Sequence, residues 1–277
     1  MAEQRRDPRD DRSGRDGTRG DGGDRTAPTP GGPTGVHATD PVAGDLGVRH
    51  AEDAGERLAA AWDELVATAR RTVADGLVVG TSGNVSVRVG DTVLVTPSGV
   101  PYDRLTPADL VAVALDGRRV RGALPPTSEL PMHLAVYRTT DARAVVHTHA
   151  VHATAVSTLV HDLPLIHYMS GALGGPVRVA PYATYGTEEL AENMLRALAG
   201  RSACLLRNHG TVAHGATLDQ AYDRTAQLEW MCRVWLTASS VPGLAPSLLT
   251  PAQLAEATRR LADYGRPREE DRDPRQG

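Results

Sequence analysis

The 277-residue chain contains no phenylalanine, and aromatic residues make up only 4% of it, so aromatic positions in any pocket fall to Tyr or Trp. Cysteine is as scarce. Cys204 and Cys232 are spaced for neither a disulfide framework nor a thiolate zinc site, and both are expected as buried, reduced thiols. No apolar run approaches the length of a membrane span. The N-terminal stretch lacks the apolar core of a signal peptide and is acid-rich, unlike a transit peptide, so the expected location is the cytoplasm. An excess of positive charge is missing too: the formal net charge is -4 and the pI about 6.2. That argues against a general polyanion binder while leaving room for a local basic pocket, and neither nucleic acid nor membrane is an expected partner. There is no internal repeat.

Residues 1–35 mix Arg, Asp, Gly, Pro and Thr with hardly an aliphatic side chain, and such a segment cannot bury enough apolar surface to offset the entropy of ordering. The Arg19-Gly20-Asp21 triplet within it is what chance gives in such a composition. The expected organisation is a disordered tail over 1–52, one folded domain over 53–265, long enough for a substantial core, and a charged, frayed tail over 266–277.

Within the domain, apolar residues recur at three and four positions from Leu58 to Val73 and predict an amphipathic helix over 54–75, closed by Gly76. Period-two runs at 85–89 and 92–96 around Gly90-Asp91 predict a hairpin. Thr106-Pro107 predicts a short capped helix, and 110–115 a further strand turned back at Asp116-Gly117. Pro125-Pro126 stop the sheet, and Thr127 or Ser128 caps a helix to about Thr140 with Glu129 in its first turn, where a carboxylate suits the dipole. Beyond come a strand at 145–149, a helix at 152–159, an irregular stretch at 164–175, and strands at 177–180 and 203–206. Helices are expected at 188–198, capped by Thr187, at 218–239, and from Thr250-Pro251 to Tyr264.

Val145-Val146-His147-Thr148-His149 holds the chemistry. On a strand, alternate side chains share a face, so His147 and His149 project together. A catalytic zinc takes three or more nitrogen or oxygen donors and keeps a position open; Glu129 and His209, in Arg207-Asn208-His209-Gly210, are the candidates for the rest. His152 is either a further ligand or a hydrogen-bonded structural residue at a strand-to-helix turn, and the second reading is preferred.

Taken together, Gly80-Thr81-Ser82-Gly83-Asn84-Val85-Ser86-Val87-Arg88, Thr96-Pro97-Ser98-Gly99-Val100-Pro101-Tyr102, Ser128-Glu129, 144–157, 166–169, Ala180-Pro181-Tyr182-Ala183-Thr184-Tyr185-Gly186-Thr187 and Asn208-His209-Gly210 resemble, in order, the class II aldolase/adducin family. The resemblance runs from about Leu58 to Tyr264. It implies a three-layer α/β/α fold with a predominantly antiparallel central sheet. It also implies one Zn2+ per subunit on His147, His149 and His209 with Glu129 as fourth ligand, and a phosphate pocket from Gly83, Asn84, Ser98, Gly99, Thr127 and Ser128. The small hydroxyl, amide and glycine residues suit that pocket, since they let backbone N–H groups approach phosphate oxygens.

The activity implied is reversible cleavage of a phosphorylated sugar, a ketose 1-phosphate with L-fuculose 1-phosphate the leading candidate, to dihydroxyacetone phosphate and lactaldehyde. Glu129, freed from the metal, is implied as general base, Tyr168 of a neighbouring subunit as the acid for the aldehyde oxygen, and Tyr264 as a residue shaping the aldehyde side. A homotetramer with active sites at subunit interfaces follows from the same resemblance. Pentulose-phosphate 4-epimerases of the family tend to carry Asp at the Glu129 position, so Glu129 favours the aldolase; methylthioribulose-phosphate dehydratases and decarboxylases share the site. A metal-free, adducin-like interaction domain predicts lost ligands, whereas all four are present. Two departures bear on substrate: Thr127 stands where the aldolases commonly have Ser, and Tyr185 occupies an aromatic Phe position.

Overall fold

A computed structural model describes residues 41–263, with side chains over 54–261. Most of the expected 1–52 tail, all of the 266–277 tail and Tyr264 lie outside the described residues. The first helix, α1, spans Pro41–Ala74, beginning well before the predicted 54. Proline has no N–H to lose at the start of a helix, and its fixed φ suits a first turn.

Strands β1 (Gly83–Val89), β2 (Thr92–Val95), β3 (Val111–Ala114) and β4 (Arg119–Arg121) form an antiparallel meander. Helix α2 (Leu130–Thr139) leads to β5 (Ala144–Thr148), and α3 (Val151–Leu159) follows. A 3-10 helix at Tyr168–Leu173 occupies the stretch predicted as irregular, and β6 (Val179–Ala180) comes next. Then come α4 (Glu188–Leu198), β7 (Ala203–Leu206), β8 (Gly210–Gly215), α5 (Leu218–Ser239) and α6 (Pro251–Asp263). The eight strands make one sheet in the order β4-β3-β2-β1-β5-β8-β7-β6. Every pairing is antiparallel except β6 with β7.

Alternation along the central strands sends side chains to two separate cores. Val145, Val212, Cys204 and Leu206 pack with Met132, Val136, Leu190 and Met194 of α2 and α4 on one face. Ala144, Val146, Ala213 and Leu205 face the other way, onto Trp62 and Leu65 of α1, Ala153 and Val156 of α3, and Tyr222 and Leu228 of α5. Three layers result, α/β/α around a mostly antiparallel sheet. Both cysteines are buried and free, and no described helix is long and apolar enough to cross a membrane.

Two strands were missed in the sequence. β4 reads Arg-Val-Arg and is exposed on both faces, so it lacks the half-buried pattern by which an edge strand is recognised. β8 is bounded by glycines and buried at nearly every position, so no alternation marks it either.

Candidate metal centre

β1 and β5 pair with Asn84 opposite His147 and Ser86 opposite Val145, on the face that receives α2. The strand ends at Thr148, one residue short of the prediction, and His149 follows immediately. β7 and β8 supply the third imidazole from their connecting turn, Arg207-Asn208-His209, closed by His209 N–H donating to Leu206 O at 3.1 Å. Asn208 takes φ 55°, the one described non-glycine residue in the left-handed region, a conformation Asn tolerates better than most. Gly210 allows the turn to reach β5: a Cβ there would lie 2.1 Å from Thr148 O.

Glu129 arrives from α2. The helix begins at Leu130, so Glu129 is its N-cap residue and not part of the first turn, and its side chain makes no capping bond. Thr127 Oγ1 instead accepts the Glu129 N–H at 3.2 Å, while the carboxylate turns away from its own helix toward the histidines. Oε2 lies 2.9 Å from His147 Nε2 and accepts from Asn84 Nδ2 at 3.0 Å. Oε1 lies 3.2 Å from His209 Nε2, outside hydrogen-bonding geometry, and is a buried acceptor with no donor.

The three imidazoles surround one point. Their ring centroids are 4.7–4.9 Å apart and each pair is tilted by 75–84°; with Glu129 they offer four ligand atoms within 4.8 Å of one another. His147 Nδ1–H donates to Thr211 O at 2.7 Å, which holds the ring with Nε2 aimed at the cluster. A carbonyl behind a ligating imidazole is the usual device for fixing its tautomer.

Protonation follows from this crowding. Burial works to raise the Glu129 pKa, but the neighbouring His147 and His209 overcome it and hold the carboxyl well below its usual range. For His147, burial works downward and Glu129 prevails, so the imidazole is raised. His149 is lowered to about 3 by burial and by the charge of the other two rings. Without a metal, one proton on His147 serves Glu129 Oε2 and His149 Nε2, 3.0 Å away. The orphaned Oε1 and the excess of lone pairs over hydrogens are what a divalent cation would satisfy, and the four residues fit one.

Beside the cluster lies a cavity of about 340 Å³. Gly83, Asn84, Ser98, Gly99, Thr127 and Ser128 all line it, together with Glu129, His149 and His209 of the cluster. So do Thr81, Tyr182, Tyr185 and Asn208; nothing in the spacing of Tyr182 and Asn208 marks them as lining residues in the sequence. Among the described residues no arginine lines the cavity, and Thr127 and Ser128, which lead into the N-terminus of α2, both border it. His152 is not a ligand: its N–H and Nδ1–H donate to Glu229 Oε1 at 3.0 and 2.6 Å. Tyr168 is not among the lining residues either; it is exposed, beside a separate hollow formed with Met169, Ala257, Arg260 and Leu261.

The family model described as "Class II Aldolase and Adducin N-terminal domain" matches residues 63–236. The chain belongs to the class II aldolase/adducin family. An L-fuculose phosphate aldolase of Escherichia coli O6:H1 (strain CFT073) is 43% identical over 192 residues, 69% of this chain and 88% of the relative. A 5-deoxy-D-ribulose 1-phosphate aldolase of Bacillus thuringiensis serovar kurstaki (strain ATCC 35866 / NRRL B-4488 / HD73) is 34% identical over 206 residues, 73% of this chain and 96% of the relative. A solved L-fuculose 1-phosphate aldolase superposes with a TM-score of 0.70 at 34% identity, covering 73% of this chain and 96% of that one. The family and its aldolase relatives point to a lyase-type enzyme, and the Glu/His3 cluster, with Glu129 and His147 buried and His149 and His209 partly so, is its candidate metal site.

Proposed function

We propose that the protein is a zinc-dependent aldolase that reversibly cleaves L-fuculose 1-phosphate to dihydroxyacetone phosphate and lactaldehyde. The observation that carries this reading is the Glu129 carboxylate, buried, ionised and one oxygen short of a donor, against three converging imidazoles beside a hydroxyl-lined cavity. The chain contains no lysine, so it has no side-chain amine for the Schiff-base route to carbanion chemistry.

His147, His149, His209 and Glu129 would hold the zinc ion, which when bound would supply Lewis-acid polarisation of the substrate carbonyl. The substrate phosphate goes to Ser98, Gly99, Thr127, Ser128, Gly83 and Asn84. With no arginine among the described residues on the cavity wall, these neutral donors and the positive end of the α2 dipole favour the anion. In the condensation direction Glu129 takes a proton from the hydroxymethyl carbon of dihydroxyacetone phosphate, and Tyr168 gives one to the aldehyde oxygen; cleavage runs the same transfers backwards. Tyr168 is exposed and apart from its own cavity, which supports its acting in the site of a neighbouring subunit and hence at least a dimer; the homotetramer is what the family resemblance implies. Tyr264 would close the aldehyde side.

A second substrate, 5-deoxyribulose 1-phosphate, is favoured by the Bacillus relative, whose name carries it. The test is release of dihydroxyacetone phosphate from each ketose phosphate by the zinc-loaded protein, beside Glu129→Gln and a chelated sample. Release from L-fuculose 1-phosphate by the loaded wild type alone is expected. Faster release from the pentulose would reassign the substrate, and release from neither would overturn the reading.

A further inference from the structure

Behind the carboxylate runs a buried chain of polar groups that the proposed reaction does not use. On α2, Glu129, His133 and Tyr137 recur at i, i+4 and i+8 and so share one face. On β1, Asn84 and Ser86 alternate onto the face that meets it. The two stripes interlock: Asn84 Nδ2 to Glu129 Oε2 is 3.0 Å, His133 Nε2 to Asn84 Oδ1 is 2.5 Å, Ser86 Oγ to His133 Nδ1 is 2.6 Å, and Tyr137 Oη to Ser86 Oγ is 2.7 Å. All five residues are at most 5% exposed.

The ionised end forces every direction along this chain. A carboxylate can only accept, so Asn84 must present its amide N–H to Glu129 and its oxygen to His133. That oxygen needs a donor, so His133 carries its proton on Nε2. Nδ1 is then an acceptor and takes the Ser86 hydroxyl hydrogen, and Ser86 oxygen in turn takes that of Tyr137. Burial lowers the His133 pKa to about 3, with His147 assisting and Glu129 opposing, in keeping with a neutral ring.

We propose that His133 is a positioning residue for the reaction: by fixing Asn84 with its N–H toward Glu129, it holds the carboxylate in the orientation from which it ligates the metal and accepts the substrate proton. The chain is not a proton wire. An amide cannot pass a proton on without becoming an imidic acid, so Asn84 blocks transfer while transmitting orientation. Loss of His133 frees Asn84 to turn its oxygen toward Glu129, replacing an attraction with a repulsion.

The kinetic part of the test rests on the proposed aldolase reaction, and the spectroscopic part does not. In full-length protein labelled with ¹⁵N-histidine, the resonance missing from His133→Gln is expected to be a neutral Nε2–H imidazole with Nδ1 unprotonated. An Nδ1–H tautomer or an imidazolium overturns the proposal. In zinc-loaded enzyme, His133→Leu removes the donor, and kcat is expected to fall roughly 10- to 100-fold. KM should move less than about threefold. The Gln variant, whose amide N–H can still donate to Asn84, should recover most of that loss. Equal losses in both variants, or an unchanged kcat in the Leu variant, overturn it. If the Leu variant does not fold, Ser86→Ala replaces it: the His133 ring must keep its Nε2–H tautomer, because Asn84 still demands a donor there, and loss of that tautomer refutes the directed chain. A wild type inactive on every sugar phosphate sinks the proposed function and leaves the tautomer to decide this inference.

Discussion

Glu129, buried, and Glu229, partly buried, are carboxylates each set against a histidine at the start of a helix, and they have opposite roles. Glu229 reaches from α5 to the N-terminus of α3, where Oε1 accepts from His152 N–H and Nδ1–H and Oε2 accepts the Ala153 N–H at 2.7 Å. Both its oxygens have donors, and the orphan amides of the helix are satisfied in return. Glu129 has donors on one oxygen and none on the other, although three imidazoles stand around it. Residue type does not separate the two pairs. The balance of donors and acceptors does: the satisfied carboxylate is structural, and the unsatisfied one marks where positive charge belongs.

Exchanging each carboxylate for its amide tests that comparison most strongly. Glu129→Gln removes the proton acceptor while keeping volume, and kcat should fall about 10³-fold, within the range lost with a general base. Zinc, measured by competition with a chromophoric chelator, should also be held more weakly. Glu229→Gln should leave kcat within about twofold and lower unfolding stability by about 1–2 kcal/mol, through poorer hydrogen bonds to the α3 amides. A Glu229 variant with an equal loss of kcat would erase the distinction.

Acid should separate the two regions next, through the chelated protein. His133 and His149 are both lowered to about 3, first by burial, so the native state stays unprotonated there while the unfolded chain takes up protons from about 6.5 downward. Stability is therefore fully present above about pH 6.5 and drains as pH falls toward 3, at up to about 1.4 kcal/mol per unit for each histidine. Glu129, depressed, adds stability above its unfolded value of 4.5 that is lost only in stronger acid. His147, raised, works the other way: its contribution is complete below 6.5 and fades as pH rises through its folded value. Urea midpoints of chelated protein should fall between about pH 7 and pH 5, and His133→Gln should flatten the slope. A midpoint that rises on acidification would contradict the neutral, buried histidines.

The same comparison explains what could be read from the sequence. The layers and the mostly antiparallel sheet were legible through the family resemblance that the motifs carry, and the same motifs single out His147, His149, His209 and Glu129, which the fold brings together as a candidate metal site. β8 was not, since a strand buried on both faces shows no alternation, yet its Thr211 carbonyl orients His147. Nor was the role of His133, a buried polar residue in the middle of a largely apolar helix. Its signal was present, as the i, i+4, i+8 recurrence of Glu129, His133 and Tyr137, but it acquires meaning only when β1 brings Asn84 and Ser86 against it.

The smallest expected effect lies at the cavity rim, where Tyr185 is two-thirds exposed and takes an aromatic position. Tyr185→Phe removes one hydroxyl from a wet surface and leaves the ring in place. Water replaces whatever hydrogen bond is lost, and an apolar pocket discriminates weakly between groups differing by a hydroxyl. The ratio of kcat/KM for L-fuculose 1-phosphate over 5-deoxyribulose 1-phosphate should therefore shift by less than about fivefold, toward the pentulose, with kcat for each unchanged. A larger shift would mean that the Tyr185 hydroxyl is held out of water by a neighbouring subunit when substrate is bound, and that the rim, and not the metal cluster alone, selects the sugar.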